Sequence, residues 1–397
     1  MSSLNQNGEP KKSRYGGGGI TPVPSAKGAT VWMLKWYGPA DQDGNRKRLS
    51  QVFKGSKTEA SKKLRQLLKA VDDGSHVDKT KESVKDFSVQ WMETYVATNC
   101  TLRTAKGYQG NVDRYIIPSI GKVAIQNLTT GQIQGIYAAM LARGLSRTTV
   151  LHVHRVLKQI LGYAVKCGVI SKNAADGATP PKRAKKQSAM WDVSTIQQFL
   201  EGSQDSRYGQ VFNFAVSTGM RRSEICGLKW DAVDLFNGSL DVAATLQQIR
   251  GHGLVTGEPK TERSRRTIKL APETVALLQV VQGTQQLNKI VAGPLWQERG
   301  YVFTQANGSP VLPDTLTQEF RFLVKALELP PLNLHGLRHA FATLGLVGGM
   351  APKTVSEHLG HSSIVITLDL YSHVLPSMQE ELVNVVANLL KRTPSAN

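Results

Sequence analysis

Four short polar clusters in the second half of the chain carry the side chains best suited to chemistry. In STGMRRSEICGLKW, Arg221 and Glu224 stand three residues apart at the start of a predicted helix and so share a face. Lys260 lies in PKTERSRRT, at the tip of a predicted hairpin, with Arg263, Arg265, Arg266 and Lys269 close by. His335 and Arg338 repeat the three-residue spacing in LHGLRHAFATL, and EHLGHSSIVITLDLYSHV holds His358, His361, Tyr371 and His373. Taken singly, each cluster has an ordinary explanation: an ion pair within one helix, a capping histidine, a packed amphipathic tyrosine. Together they suit one substrate, a phosphodiester. Two guanidiniums can each donate paired hydrogen bonds to nonbridging oxygens. A lysine can protonate a departing alkoxide, imidazoles can share protons near neutral pH, and a phenol can attack phosphorus to give a covalent intermediate. Other chemistries lack their residues. There is no Asp/Glu cluster for magnesium and no Walker lysine, and Gly16 to Gly19 are not followed by GK[ST] and read as linker. The one histidine pair four apart, His335 and His339, has no glutamate or cysteine nearby to complete a zinc site. The expected reaction therefore uses no metal and no cofactor.

At about 150 residues per domain, 397 residues suggest two or three domains. The formal charge of +19 is unevenly spread: residues 1–76 carry +8, residues 77–187 carry +11, and residues 188–397, which hold all four clusters, have 18 of each sign. A basic first half joined to a neutral second half reads as polyanion-binding modules attached to something else. No apolar run approaches the roughly 18 to 20 residues of a membrane span and the N-terminus has no apolar signal region, so the expected location is cytoplasmic. Cys100, Cys167 and Cys226 are odd in number and far apart, which leaves neither a disulfide framework nor a CxxC site.

The elements that must position the clusters follow from periodicity. Residues 1–28 are polar and glycine-rich and are expected to be mostly flexible. Two strand-like runs, 29–38 and 46–55, flank the turn DQDGN; a Ser56–Glu59 capping box then opens a helix with Ala60, Leu64, Leu67, Leu68 and Val71 on one face. This module, residues 29–76, places Arg46, Lys47, Arg48 and Lys54 where a DNA groove could be read, although cations also guard exposed sheet edges. Residues 83–176 read as a helical bundle. Phe87, Trp91 and Tyr95 recur every four residues, and Val150, Val153, Leu157, Ile160, Leu161 and Ala164 line a helix after Ser146, with Arg147 at its start a candidate DNA contact. Lys182, Arg183, Lys185 and Lys186 make residues 177–188 a basic linker whose charge is available to a phosphate backbone. Residues 189–390 mix helices with short strands and end in an amphipathic stretch, 379–391, ahead of a short tail, 391–397. The predicted class is multidomain and mainly α with small antiparallel sheets, α+β.

The ordered series TGMRRSE, PKTERSRRTI, HGLRH, LGH and LDLYSH, behind two basic modules, resembles the tyrosine recombinases, specifically the phage-type integrases. The resemblance runs from the first strand-like run through the catalytic segment. It implies an arm-type DNA-binding domain, a helical core-binding domain and a catalytic domain, in that order. It also implies an active site of Arg221, Lys260, His335, Arg338 and His361, with Tyr371 as nucleophile and Glu224 orienting its neighbours. The implied activity is site-specific recombination through a 3′-phosphotyrosine, without ATP, that integrates or excises a mobile element. The implied partners are double-stranded DNA bearing core-type and arm-type sites, three further copies in a homotetramer, and accessory proteins that bend DNA or set direction. His339, His358 and His373 are left as structural or DNA-contacting. Two other readings stay open: a type IB topoisomerase, and a non-catalytic regulator built on the helix-turn-helix-like ATLGLVGGMAPKTVSEHLGHSS.

Overall fold

The structure, a computed structural model, describes residues 18–24, 31–40, 43–74, 76–77, 80–183, 190–258, 264–371 and 387, with 369–371 described by backbone alone. The chain folds as two compact units, Met1–Lys185 and Lys186–Asn397. As the periodicity suggested, it is mainly helical with small antiparallel sheets.

In the first unit, strands β1 (Gly19–Val23), β2 (Val31–Ala40) and β3 (Arg46–Lys54) form an antiparallel sheet in that order, and helix α1 (Lys57–Asp72) packs on it. Alternation along the strands sends Leu34 and Trp36 of β2 and Leu49 and Phe53 of β3 into a core with Ala60 and Leu64 of α1. The capping box is present: Ser56 Oγ accepts from the Glu59 N–H at 3.3 Å, and Glu59 Oε2 accepts from the Ser56 N–H at 2.8 Å. Strand β1 lies within residues 1–28, where the sequence pattern placed no strand. Ile20 lies opposite Leu34 and Pro22 opposite Trp32, so a short segment gains its ladder from the edge of β2, where a proline's missing N–H is tolerated.

Helix α2 (Val84–Trp91) passes through a π-helical turn (Met92–Val96) into α3 (Ala97–Asn99), and α4 (Leu102–Asn111) passes through a second (Val112–Ile116) into α5 (Ile117–Ile120). Helices α6 (Thr130–Ala142) and α7 (Arg147–Lys166) complete the bundle, and the predicted stripe on α7 is buried throughout. On α2 the stripe shifts. Phe87 and Trp91 are buried, Tyr95 is 36% exposed, and Val96 takes the core position instead. A π turn takes five residues where an α turn takes four, so the inward position after Trp91 falls at i+5.

The second unit contains α8 (Val193–Gly202), α9 (Gly209–Thr218), α10 (Arg222–Gly227), α11 (Pro272–Ala292), α12 (Pro313–Ala326), α13 (His335–Val347), α14 (Pro352–Leu359) and α15 (Val365–Tyr371). Between α10 and α11 lie β4 (Val233–Asp234), β5 (Ser239–Asp241), β6 (Thr245–Ile249), β7 (Gly253–Gly257) and β8 (Thr267–Lys269). Trp191, Phe199, Phe212 and Phe320 anchor its main core with ring centroids 5.1 to 5.9 Å apart. Ala342, Leu346, Val355 and Leu359 form a smaller core joining α13 to α14.

The hairpin expected around Lys260 is corrected. β7, before it, pairs with β6, while β8, after it, pairs with β5 in the β4-β5-β8 sheet, so the intervening segment joins two sheets. The hairpin turn lies earlier, in RGHG, where Gly251 and Gly253 adopt φ of 81° and 71°. Lys260 itself lies outside the described residues, as do Lys185, Lys186, His373 and, apart from residue 387, the amphipathic stretch 379–391.

Candidate active site

The site grows from the ends of two helices. The last carbonyls of an α-helix lack intrahelical donors and carry the negative end of its dipole. α9 stops where Gly219 adopts φ 62°, and α14 stops where Gly360 adopts φ 63°. At the first end, Thr218 O accepts from His358 Nε2 at 3.0 Å and Gly219 O from Arg338 Nη1 at 2.8 Å. At the second, His358 O accepts from Arg266 Nε at 2.5 Å, Leu359 O from Arg338 Nη2, and Gly360 O from Arg221 Nη2 at 2.8 Å. Three successive carbonyls thus hold three different arginines. Gly219 is needed for space as well as conformation, since a Cβ there would lie 2.7 Å from Leu359 Cδ2 and from Phe341 Cδ1.

Glu224 supplies the counter-charge. Arg221 caps α10 and Glu224 is its third residue, so the carboxylate folds back onto the Arg221 N–H at 2.9 Å and onto Nη1 at 2.6 Å. Arg266 closes the other side, Nη2 to Oε2 at 3.0 Å and Nη1 to Oε1 at 3.3 Å. Burial opposes the carboxylate's charge, but the bonds from Arg266 and Arg221 outweigh it and hold Glu224 below the usual carboxylate range. Arg338 is buried, and burial followed by the nearby Arg221 lowers its pKa to about 9, which leaves it charged at neutral pH. One carboxylate among three arginines leaves the site positive. A guanidinium has five N–H donors. The contacts described use two on Arg338 and two side-chain donors on Arg221, whose side chain is 31% exposed.

The histidines divide by role. His335 opens α13 one turn before Arg338 and is exposed, its ring edge-on to His339 with centroids 4.7 Å apart. His361 is buried, its Nδ1 2.9 Å from the Thr367 hydroxyl of α15. Desolvation, then Arg338 and Arg221, lowers the His361 pKa to about 4. Loss of solvation on its inner side, then His339, Arg338 and Arg221, also lowers that of His335. His358 serves structure: a carbonyl only accepts, so Nε2 carries the proton given to Thr218 O, and the ring stacks on Phe341. Tyr371 is the last described residue of α15, which packs on α13 and α14 and is tied to His361 through Thr367.

Residues 190–378 match the Phage integrase family, and residues 83–141 match the phage integrase N-terminal SAM-like domain. The chain belongs to the phage integrase family of tyrosine recombinases. It is a site-specific DNA recombinase, an enzyme that transfers DNA strands. The recombinase is 28% identical to the tyrosine recombinase XerC-like protein of Caldanaerobacter subterraneus subsp. tengcongensis, over 88% of this chain and 94% of the other. It is 27% identical to an integrase of Streptomyces ambofaciens, over 91% and 95%. Its fold is similar to that of the Tn1549 transposon integrase in complex with transposon right end DNA, with a TM-score of 0.67 at 23% identity over 77% of this chain and 99% of that one. It is also similar to that of a lambda integrase tetramer bound to a Holliday junction, with a TM-score of 0.55 at 14% identity over 88% and 94%.

Of the site residues expected from the recombinase's sequence, the structure brings together Arg221, Glu224, His335, Arg338 and His361. Arg266 was missed because its partners His358 and Glu224 lie 92 and 42 residues away, and Thr367 because its six-residue spacing from His361 fits no helical period. Of the paired arginines in MRRSE, Arg222 turns away to Pro313 O at 2.9 Å and Thr317 Oγ1 at 2.5 Å, tying α10 to α12. The helix-turn-helix-like segment does form two helices, α13 and α14, but the last carbonyls of α14 are occupied by the arginines. Among the candidate DNA contacts, Arg46, Lys47, Arg48 and Lys54 of β3, Arg147 at the start of α7, and Lys182 and Arg183 are all exposed. Strand alternation puts Arg48 and Lys54 on the sheet face away from α1 and Lys47 on the opposite one. Lys35 of β2, beside Ser50 and two residues from Tyr37, adds to that outer face and was also missed. Among the described residues, no group of three or more His, Cys, Asp or Glu side chains could hold a metal, and no helix is long and apolar enough to cross a membrane.

Proposed function

We propose that this recombinase breaks and rejoins DNA through a phosphotyrosine on Tyr371, with Arg221, Arg338, His335 and His361 around the scissile phosphate and Lys260 at the leaving oxygen. The observation that supports this most is the placement of Arg221 and Arg338, held by Glu224 and helix-end carbonyls with N–H donors left over. Those donors suit the nonbridging oxygens, whose charge grows as phosphorus becomes five-coordinate. Neutral His361, with Nδ1 accepting from the Thr367 hydroxyl, offers Nε2–H to the same oxygens. His335 takes the phenolic proton as Tyr371 attacks. The tyrosyl O–P bond forms as the P–O5′ bond breaks, and the 5′ oxygen leaves as a hydroxyl with a proton from Lys260. A 5′-hydroxyl from a second duplex then attacks the phosphotyrosine, restores the diester and releases the phenol, with no net consumption of ATP.

The outer sheet face carrying Lys35, Arg48 and Lys54 suits an arm-type site, and the helical module with Arg147 and the basic linker suits a core-type site. Binding both at once raises the effective concentration of the catalytic unit at its target. The working assembly in this reading is a homotetramer on two duplexes, integrating or excising a mobile element. Tyr371→Phe tests the chemistry: denaturing gels should show no covalent protein–DNA adduct on a nicked suicide substrate, with duplex binding retained. An adduct in that variant refutes the assignment.

A further inference from the structure

Arg266 has no part in the chemistry described above, yet it makes the most contacts of the three arginines. Its side chain is 7% exposed. Nε donates to His358 O at 2.5 Å, Nη2 to Glu224 Oε2 at 3.0 Å, and Nη1 to Glu224 Oε1 at 3.3 Å and Ser264 O at 3.2 Å. All three guanidinium nitrogens of Arg266 are thus engaged within the protein, whereas the contacts described leave donors over on Arg221 and Arg338. The two structures it joins are those that hold the phosphate-binding arginines. Glu224 orients Arg221 through Nη1 and the Arg221 N–H, and the two carbonyls after His358 hold Arg338 and Arg221.

We infer that Arg266 is a positioning residue that sets Glu224 and the end of α14 in one geometry, and so aims Arg221 at the scissile phosphate without touching DNA. The inference rests on the proposed role of Arg221. Its basis is shape as well as charge: the planar fork spans an acceptor on α14 and both carboxylate oxygens on α10, which a lysine's single ammonium cannot do.

The deciding variant is Arg266→Lys, which keeps a cation beside buried Glu224 and so protects the fold. It is measured in the full chain, alone and combined with Arg221→Lys, for duplex affinity and for single-turnover cleavage of a nicked suicide substrate. Alone, it should leave affinity within threefold and slow cleavage about 100-fold, the cost of a small misplacement at a reacting centre. In the Arg221→Lys background, where the guanidinium that Glu224 and Gly360 O orient is gone, the same change should slow cleavage by less than threefold. Cleavage within threefold of wild type, an equal loss in both backgrounds, or a parallel loss of affinity would each overturn the inference. If Arg221→Lys alone cleaves like wild type, the proposed active site falls, and the role of Arg266 with it.

Discussion

Replacing Glu224 by glutamine tests whether the buried carboxylate organises the site. Four N–H groups close on it: the Arg221 backbone and Nη1, and Nη1 and Nη2 of Arg266. Glutamine keeps one acceptor oxygen and turns its NH2 toward an arginine donor, which leaves Arg266 buried without a counter-charge. Removing one partner of a buried ion pair costs about 3 to 5 kcal/mol, and the retained acceptor places Glu224→Gln near 3. At roughly 2 to 4 °C per kcal/mol for a unit of this size, the melting temperature should fall by about 6 to 12 °C. Cleavage of a suicide substrate, measured well below that melting point, should slow about 100-fold because Arg221 is no longer aimed. The stability difference should also depend on pH. Glu224's folded pKa is lowered from its ordinary 4.5, so its contribution is complete above that value and is lost as pH falls through the lowered one. Wild type and variant should therefore differ by a constant amount from pH 8 to about pH 5 and converge in stronger acid. A variant within 1 kcal/mol of wild type at pH 7, cleaving within threefold of it, refutes the reasoning.

Three further outcomes follow. His361 takes up a proton only near pH 4 when folded but at its ordinary 6.5 when unfolded, so the DNA-free protein should lose stability as pH falls from 6.5 toward 4. His361's share of the loss reaches about 3 kcal/mol at 1.4 kcal/mol per pH unit, and acid melting curves of His361→Asn should lack that share. Gly219→Ala forces a Cβ into positive φ against Leu359 and Phe341, and should cost at least about 1 to 3 kcal/mol in urea titrations while displacing Arg338 enough to slow cleavage. Lys35→Ala and Arg48→Ala should each reduce the slope of log affinity against log salt by about 0.9 on arm-site DNA, with no change in cleavage of isolated core sites; an unchanged slope removes the outer sheet face from the interface.

The sequence determined most element types, the uneven charge and most residues of the candidate site, because those depend on short-range patterns. Capping boxes, helical stripes and three-residue spacings place Glu224 under Arg221 and His335 beside Arg338 within single helices. Its failures share a cause. Strand β1 exists only through the edge of β2, the π turn after Trp91 moves the core position from Tyr95 to Val96, and the strands on either side of Lys260 choose different partners. None of these is visible within one period of one element. The tertiary structure alone decided which cations come together. Arg221 and Arg222 are adjacent and alike, but one reaches Gly360 O and the other Pro313 O. Arg266 looks like one of several flanking charges until α10 and α14 meet on it. Carbonyls left without donors where α9 and α14 stop are acceptors that no sequence pattern displays, because what fills them comes from the far end of the fold.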